Sequence, residues 1–121
     1  MGGSLGKAPV LLLTTTGRRS GRARTQPLLY ARDGDRYVVI ASKGGAPADP
    51  LWYLNLRANP AADVTIGRTS QPVRAHDAEG EERSRLWRAM TDLYSGYDRY
   101  ADRTSRRIPV VVLSPADPPG S

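Results

Sequence analysis

The chain has 121 residues, 39% of them hydrophobic and 25% charged, with no cysteine and a formal net charge of +6. That length holds one domain with a real core and is too short for two ordinary ones, and the missing cysteines exclude disulfides and thiolate chemistry. No apolar run approaches a membrane span and no signal peptide is visible, so the cytosol is the expected compartment.

Residues 1–8 are glycine-rich and predicted to be a flexible lead-in to a single domain over 9–115. Val10 to Thr15 joins an apolar run to β-branched threonines and predicts a buried strand. A second strand is expected over 25–32, with Pro27 at its entrance or on a sheet edge because proline has no N–H to give. Asp33-Gly34 is a tight-turn signal, and Arg36 to Ser42 supplies the returning strand. Lys43 to Ala48 cannot continue a strand and is expected to be a flexible loop.

Asp49 then Pro50 predicts a helix start, with a side-chain cap and proline at the first helical position. This helix should run from Leu51 to Ala58 and end at a left-handed Asn59 before Pro60, with Leu51, Leu54 and Ala58 on one face and Trp52 and Leu56 beside it. Short strands are expected over Asp63–Ile66 and Gln71–Ala75. Gly80 to Leu93 should form a second helix, acidic at its start through Glu81 and Glu82, with Leu86, Met90 and Leu93 as its apolar stripe. Tyr94, Tyr97 and Tyr100 follow at spacings of three, on one side of an irregular helical segment. Ile108 to Leu113 is the last predicted strand, before a loose Pro-rich tail over 116–121. Strands arriving as hairpins with a few helices between them give an α+β, mostly β fold: about six largely antiparallel strands, with two to three flanking helices, in a sheet or small barrel.

The basic charge is concentrated. Arg18, Arg19, Arg22 and Arg24 lie in one stretch, Thr14 to Pro27, with Gly17, Gly21 and several hydroxyl side chains. Loop amides, hydroxyls and guanidinium forks in that combination can surround one anion, and glycine allows close backbone approach. A solvated basic hairpin loop is the plainer explanation. The stretch is neither G-x-G-x-x-G nor a Walker loop, and because it joins two strands no helix dipole is expected to help. Other chemistry is scarce. His76 is the only histidine, set on the polar face of a strand, and no His, Cys, Asp and Glu cluster has metal-ligand spacing. If the protein is an enzyme, a cofactor must carry the reactive chemistry.

The sequence Leu12-Leu13-Thr14-Thr15-Thr16-Gly17-Arg18-Arg19-Ser20-Gly21, followed by Arg24, Pro27 and Leu28, resembles the anion-binding segment of the deazaflavin-dependent nitroreductases. The resemblance continues through Asp33-Gly34, Ala41-Ser42-Lys43-Gly44-Gly45-Ala46, Pro50-Leu51-Trp52-Tyr53-Leu54-Asn55-Leu56, Ala58-Asn59-Pro60, the three tyrosines and Ile108-Pro109-Val110-Val111. It implies a split β-barrel that binds coenzyme F420, an anionic 8-hydroxy-5-deazaflavin with a phosphate and an oligoglutamate tail. It further implies hydride transfer from the reduced cofactor to a quinone, nitroimidazole or activated enone, with no metal.

By this resemblance Arg18, Arg19, Ser20 and Arg24 hold the phosphate and polar tail. Pro27, Ala41, Ser42 and Lys43 line the deazaflavin, with Gly44 and Gly45 allowing close approach, and Trp52 and Asn55 pack or hydrogen-bond near the ring and phosphate linker. Ser42 and the trio Tyr94, Tyr97 and Tyr100 are the catalytic candidates. A tyrosine, with a reference pKa of about 10, serves as a hydrogen-bond or proton donor rather than a ready base. The expected partner is a small-molecule electron acceptor, and relatives on this barrel often pair as homodimers. Some relatives carry an N-terminal amphipathic helix linked to membranes, absent from these residues, so peripheral membrane association is not expected. Two alternatives stand beside this reading: an FMN-dependent reductase on the same barrel, and a non-catalytic cofactor- or nucleic-acid-binding basic module. No nucleic-acid motif accompanies the basic loop, and nucleic acid is not the expected partner.

Overall fold

Alternation along the first strand sets the inside of the molecule. In β1 (Val10–Thr16) Leu11, Leu13 and Thr15 are buried, while Val10 and Leu12 are 48% and 41% exposed. The predicted buried strand is therefore buried on one face, with its other face more open. The computed structural model describes residues 9–42, 49–94 and 107–116. The predicted lead-in over 1–8, the loop over Lys43–Ala48 and most of the terminal tail lie outside them.

The remaining elements are β2 (Ala23–Leu29), β3 (Ala31–Asp33), β4 (Arg36–Ile40), α1 (Leu51–Ala58), β5 (Ala61–Ile66), β6 (Thr69–Asp77), α2 (Gly80–Leu93) and β7 (Val110–Pro115). The seven strands form one sheet in the order β2-β1-β5-β6-β7-β4-β3, with every neighbouring pair antiparallel. The sheet curls until β2 comes close to β4. The predicted second strand divides at Tyr30, because its first part pairs with β1 and its second with β4. Pro27 lies on β2, an edge strand, as a residue without an N–H should.

Two cores occupy the two faces of this sheet. The inner face surrounds α1 and packs Leu11, Leu13, Val39, Val64, Val111 and Leu113 against Trp52, Tyr53 and Leu56. On the other face α2 covers Val38, Ile40, Val110 and Val112 with Leu86 and Met90. Strands β4 and β7 are thus buried on both sides, which explains their unbroken apolar runs where β1 alternates. The β4 ladder stops at Ile40 rather than Ser42. Ala41 still donates its N–H to the Pro109 carbonyl at 3.0 Å, but Pro109 has no N–H with which to continue the pairing.

Both helices have the expected bounds, and α1 differs in its caps. Pro50 is itself the N-cap of α1 (φ −62°, ψ 151°), without a side-chain hydrogen bond, instead of the first helical residue behind an Asp49 cap. Asn59 is extended (φ −147°, ψ 105°), not left-handed. Its Oδ1 accepts the Ala61 N–H at 3.1 Å, a side-chain turn that leads the backbone straight into β5. The buried face of α1 is Trp52, Tyr53, Asn55 and Leu56, and Leu51 is 69% exposed. In α2 Leu86 and Met90 are buried but Leu93 is 58% exposed, because the chain leaves the helix there and Tyr94 packs inward in its place.

Charged side chains fasten α2 to the sheet. Asp33 pairs with Arg36 and, at 2.9 Å, with Arg85. Arg36 continues to Glu82 at 3.2 Å, and the Glu82 carboxylate accepts from His76 Nε2 at 3.0 Å. Hydrogen bonds from Arg85 and Arg36 hold the Asp33 carboxyl down at about 2, from an ordinary value of 3.8. His76 and then Arg36 lower that of Glu82 in the same way.

Candidate functional site

The loop between β1 and β2 is tied by its own backbone. Gly17 N–H donates to the Arg22 carbonyl and Gly21 N–H to the Gly17 carbonyl, each at 2.8 Å, while Ser20 Oγ accepts from Arg22 N–H at 3.2 Å. A Cβ at position 17 would stand 2.7 Å from Ser20 Oγ and 3.2 Å from the Arg22 carbonyl, so any larger residue would force Ser20 to turn and press on the closure. Gly21 has φ +72°, a left-handed conformation that side chains resist. The closed loop leaves Arg18, Arg19 and Ser20 exposed on its surface.

Strand register brings Arg24 to the same place. Thr15 pairs with Arg24 and Leu13 with Gln26, and directly paired residues of an antiparallel ladder project to one face. Arg24 and Gln26 therefore share the inner face of the sheet with Leu13 and Thr15. Because β2 is an edge strand, this part of the inner face stays open, and α1 passes beside it. The result is a cleft of about 700 Å³ between the loop, β2 and the start of α1. Arg18, Arg19, Ser20 and Arg24 line one side, and Leu51, Trp52 and Asn55 the other. A helix start thus does border the loop, contrary to the expectation from its strand-to-strand position, because α1 arrives from a distant part of the chain.

Asn55 joins the two sides. Its Oδ1 accepts the backbone N–H of Arg18 at 3.1 Å, and its Nδ2 donates to Thr15 Oγ1 at 3.1 Å. Trp52 serves both cleft and core: only 5% exposed, it lies edge-on to Tyr53 at 6.3 Å between ring centroids. Of the residues expected from the sequence, six meet here: Arg18, Arg19, Ser20, Arg24, Trp52 and Asn55. Pro27 does not. It pairs with Leu12 on the outer face, one strand position out of phase with Arg24 and Gln26. Ala41 and Ser42 are buried at the end of β4, leading toward Lys43, Gly44 and Gly45, which lie outside the described residues. Tyr94 is half-buried and donates its hydroxyl to the Tyr30 carbonyl at 3.1 Å, and burial raises its pKa. Tyr97 and Tyr100 lie outside the described residues.

The sequence reading passed over Ala23, Thr25 and Gln26, which line the cleft, and Thr15, which is buried beneath it. Gln26 and Thr15 could have been found from strand parity, since both fall on the phase of Leu11 and Leu13.

Acid–base machinery is sparse among the described residues. They contain no group of His, Cys, Asp and Glu able to hold a metal ion. His76 is 47% exposed and engaged with Glu82. Tyr53 donates a short hydrogen bond of 2.5 Å to Asp77, and burial followed by that bond pushes its pKa far up, so it remains a phenol.

A curled antiparallel barrel with an arginine-lined cleft at its open edge defines a split-barrel protein built to hold an anionic ligand. Comparison with known proteins makes this specific. Residues 1–115 match the model of the F420H(2)-dependent quinone reductase family, and the chain belongs to that family. It is 46% identical over 115 residues to an F420H(2)-dependent quinone reductase of Mycobacterium tuberculosis, spanning 90% of this chain and 75% of that one. Among solved structures, the F420-H2 dependent reductase FDR-A superposes with a TM-score of 0.81 at 40% identity, covering 88% of this chain and 94% of its own. A second solved chain, described as a domain-swapped dimer, matches with the same TM-score and identity over 88% of this chain and 80% of that one. The resemblance drawn from the sequence and its split barrel are borne out.

Proposed function

We propose that this protein binds reduced coenzyme F420 in the arginine-lined cleft and reduces a quinone with it. The observation that carries the reading is the convergence of Arg18, Arg19, Ser20 and Arg24 with the first turns of α1 around one concavity of about 700 Å³. That volume suits a cofactor-sized ligand. The donor set fits an anion bearing phosphate and carboxylates: Arg18, Arg19 and Arg24 have no carboxylate partner among the described residues, and Ser20 Oγ stands beside them.

When bound, the reduced deazaflavin supplies the hydride. The residues of this chain bind and orient it. The three arginines neutralise the polar tail, Gly17 keeps the loop closed enough for backbone contact, and Leu51 and Trp52 offer an apolar wall. Lys43, Gly44 and Gly45, following Ser42, complete the ring contacts in this reading. Tyr94 holds the corner at Tyr30, which leaves Tyr97 and Tyr100 as hydrogen-bond donors toward the acceptor. A second copy of the chain is the partner to look for, as the domain-swapped neighbour suggests. No helix of the described residues is long and apolar enough to cross a membrane.

Calorimetric titration with intact F420, FMN and duplex DNA, followed by anaerobic turnover of F420H2 with a soluble quinone, tests the proposal. Binding of F420 alone with quinone-dependent oxidation is the expected outcome. Preference for FMN would keep the barrel and change the enzyme, and binding to DNA alone would overturn the proposal.

A further inference from the structure

Thr15 is out of place by composition. It is 2% exposed on a strand face otherwise made of Leu11 and Leu13, where a hydroxyl is a liability unless it is hydrogen-bonded. It has one described side-chain partner, the Asn55 amide at 3.1 Å. The orientation of that amide is fixed by chemistry. The backbone N–H of Arg18 can only donate, so the Asn55 atom facing it at 3.1 Å must be Oδ1. Nδ2 then faces Thr15, and the threonine oxygen accepts. Asn55 is itself only 8% exposed. Thr15, Asn55 and the Arg18 amide therefore form a chain of two hydrogen bonds from the floor of the barrel, through α1, to the backbone of the anion-binding loop.

We propose that Thr15 is a positioning residue for cofactor binding, acting through Asn55 to hold the Arg18 backbone and so the arginine loop against α1. It touches no ligand. Thr15 also pairs in register with Arg24, so the same strand position anchors both the loop and the edge-strand arginine. Removal of the hydroxyl leaves Nδ2 of Asn55 buried without its acceptor, and the amide gains freedom to turn away from Arg18. The inference rests on the F420 reading for its effect on binding, but the hydrogen-bond chain can be tested without any ligand.

The experiment compares Thr15→Val, which keeps the β-branched shape and removes the hydroxyl, with Thr15→Ser, which restores the hydroxyl. In the ligand-free protein, amide hydrogen exchange at Arg18 should quicken about tenfold in Thr15→Val and stay within about twofold of wild type in Thr15→Ser. With F420, Thr15→Val should weaken binding about five- to twentyfold while turnover at saturating cofactor stays within about twofold, and Thr15→Ser should bind like wild type. Unchanged Arg18 exchange in Thr15→Val would overturn the proposal, as would equal loss of protection in both variants, since packing rather than the hydroxyl would then be responsible. Should Thr15→Val not fold, Thr15→Ala, which also removes the hydroxyl but adds no apolar group, supplies the same readings against Thr15→Ser. If wild type bound no F420, the cofactor reading would fail while the exchange result still decided the role of Thr15.

Discussion

Arg19 and Arg24 reach the cleft from different backbone settings, one on a closed loop and one in strand register with a buried threonine. Two separate routes to one cavity argue against a merely solvated basic loop, and they predict separable losses. Arg19→Ala and Arg24→Ala should each weaken F420 binding by about 1.5–3 kcal/mol, the range for a hydrogen bond to a charged group, read by calorimetry with the fold intact by circular dichroism. Gly17→Ala should also weaken binding, through geometry rather than charge, because its methyl would collide with Ser20 Oγ and press on the Arg22 carbonyl. If Gly17→Ala bound as tightly as wild type, the closed loop would not be the binding conformation. The arginines and glycines were legible in the sequence because their chemistry is local. Gln26 was not read as a site residue, although its pairing with Leu13 puts it on the inner face. Asn55 was legible as a site residue, yet its use in holding Arg18 depends on two partners that only the folded chain brings together.

Among the elements, α2 relies on the sheet for the burial of its apolar face. Met90 is fully buried beneath it against β4 and β7, so Met90→Ala should destabilise the protein by about 2–5 kcal/mol in denaturant unfolding, with little effect on the Kd for F420 because the cleft lies on the other face. Its charged fastening makes acid stability a second reading. Asp33 titrates at about 2 when folded and near its ordinary 3.8 when unfolded, so the unfolded chain takes up the proton first as pH falls. Its stabilisation is therefore complete above about pH 4 and is lost toward pH 2. Glu82, also lowered, acts with the same sign. With solvent screening of these part-exposed pairs the contribution of Asp33 is about 1 kcal/mol, and Asp33→Asn should flatten the acid limb of the stability curve by that amount. The hairpin turn and both helices could be foreseen from turn residues, apolar periodicity and first-turn acids. The bounds of both helices were legible as well, but the caps of α1 were not: Asn59 is extended because its side chain takes the Ala61 N–H, a contact with the next strand that α1 itself does not encode. The division at Tyr30 was hidden for a related reason, since one extended run serves two different partner strands.

For the molecule as a whole, the formal charge of +6 would by itself suit nucleic acid as well as an anionic cofactor. The shape of the cleft favours the cofactor. A duplex needs a broad convex or groove-fitting basic face, whereas the arginines of the loop and edge strand converge on a concavity walled by Leu51 and Trp52. A ligand that bridges the β1–β2 loop, β2 and α1 also links parts of the chain that unfold together, so its binding must stabilise the entire barrel rather than the loop alone. At a free concentration one hundred times its Kd, F420 should add about 2.7 kcal/mol to the unfolding free energy, a rise of several degrees in Tm for a chain of this size. FMN and duplex DNA at matched excess over the F420 Kd should shift Tm little. Arg24→Ala should reduce the F420-induced shift at fixed ligand concentration without lowering the ligand-free Tm by a comparable amount, since Arg24 is exposed and has no carboxylate partner among the described residues. Equal loss with and without ligand would mean that Arg24 supports the sheet edge instead of the cofactor, and the binding cleft would have to be sought elsewhere on the barrel.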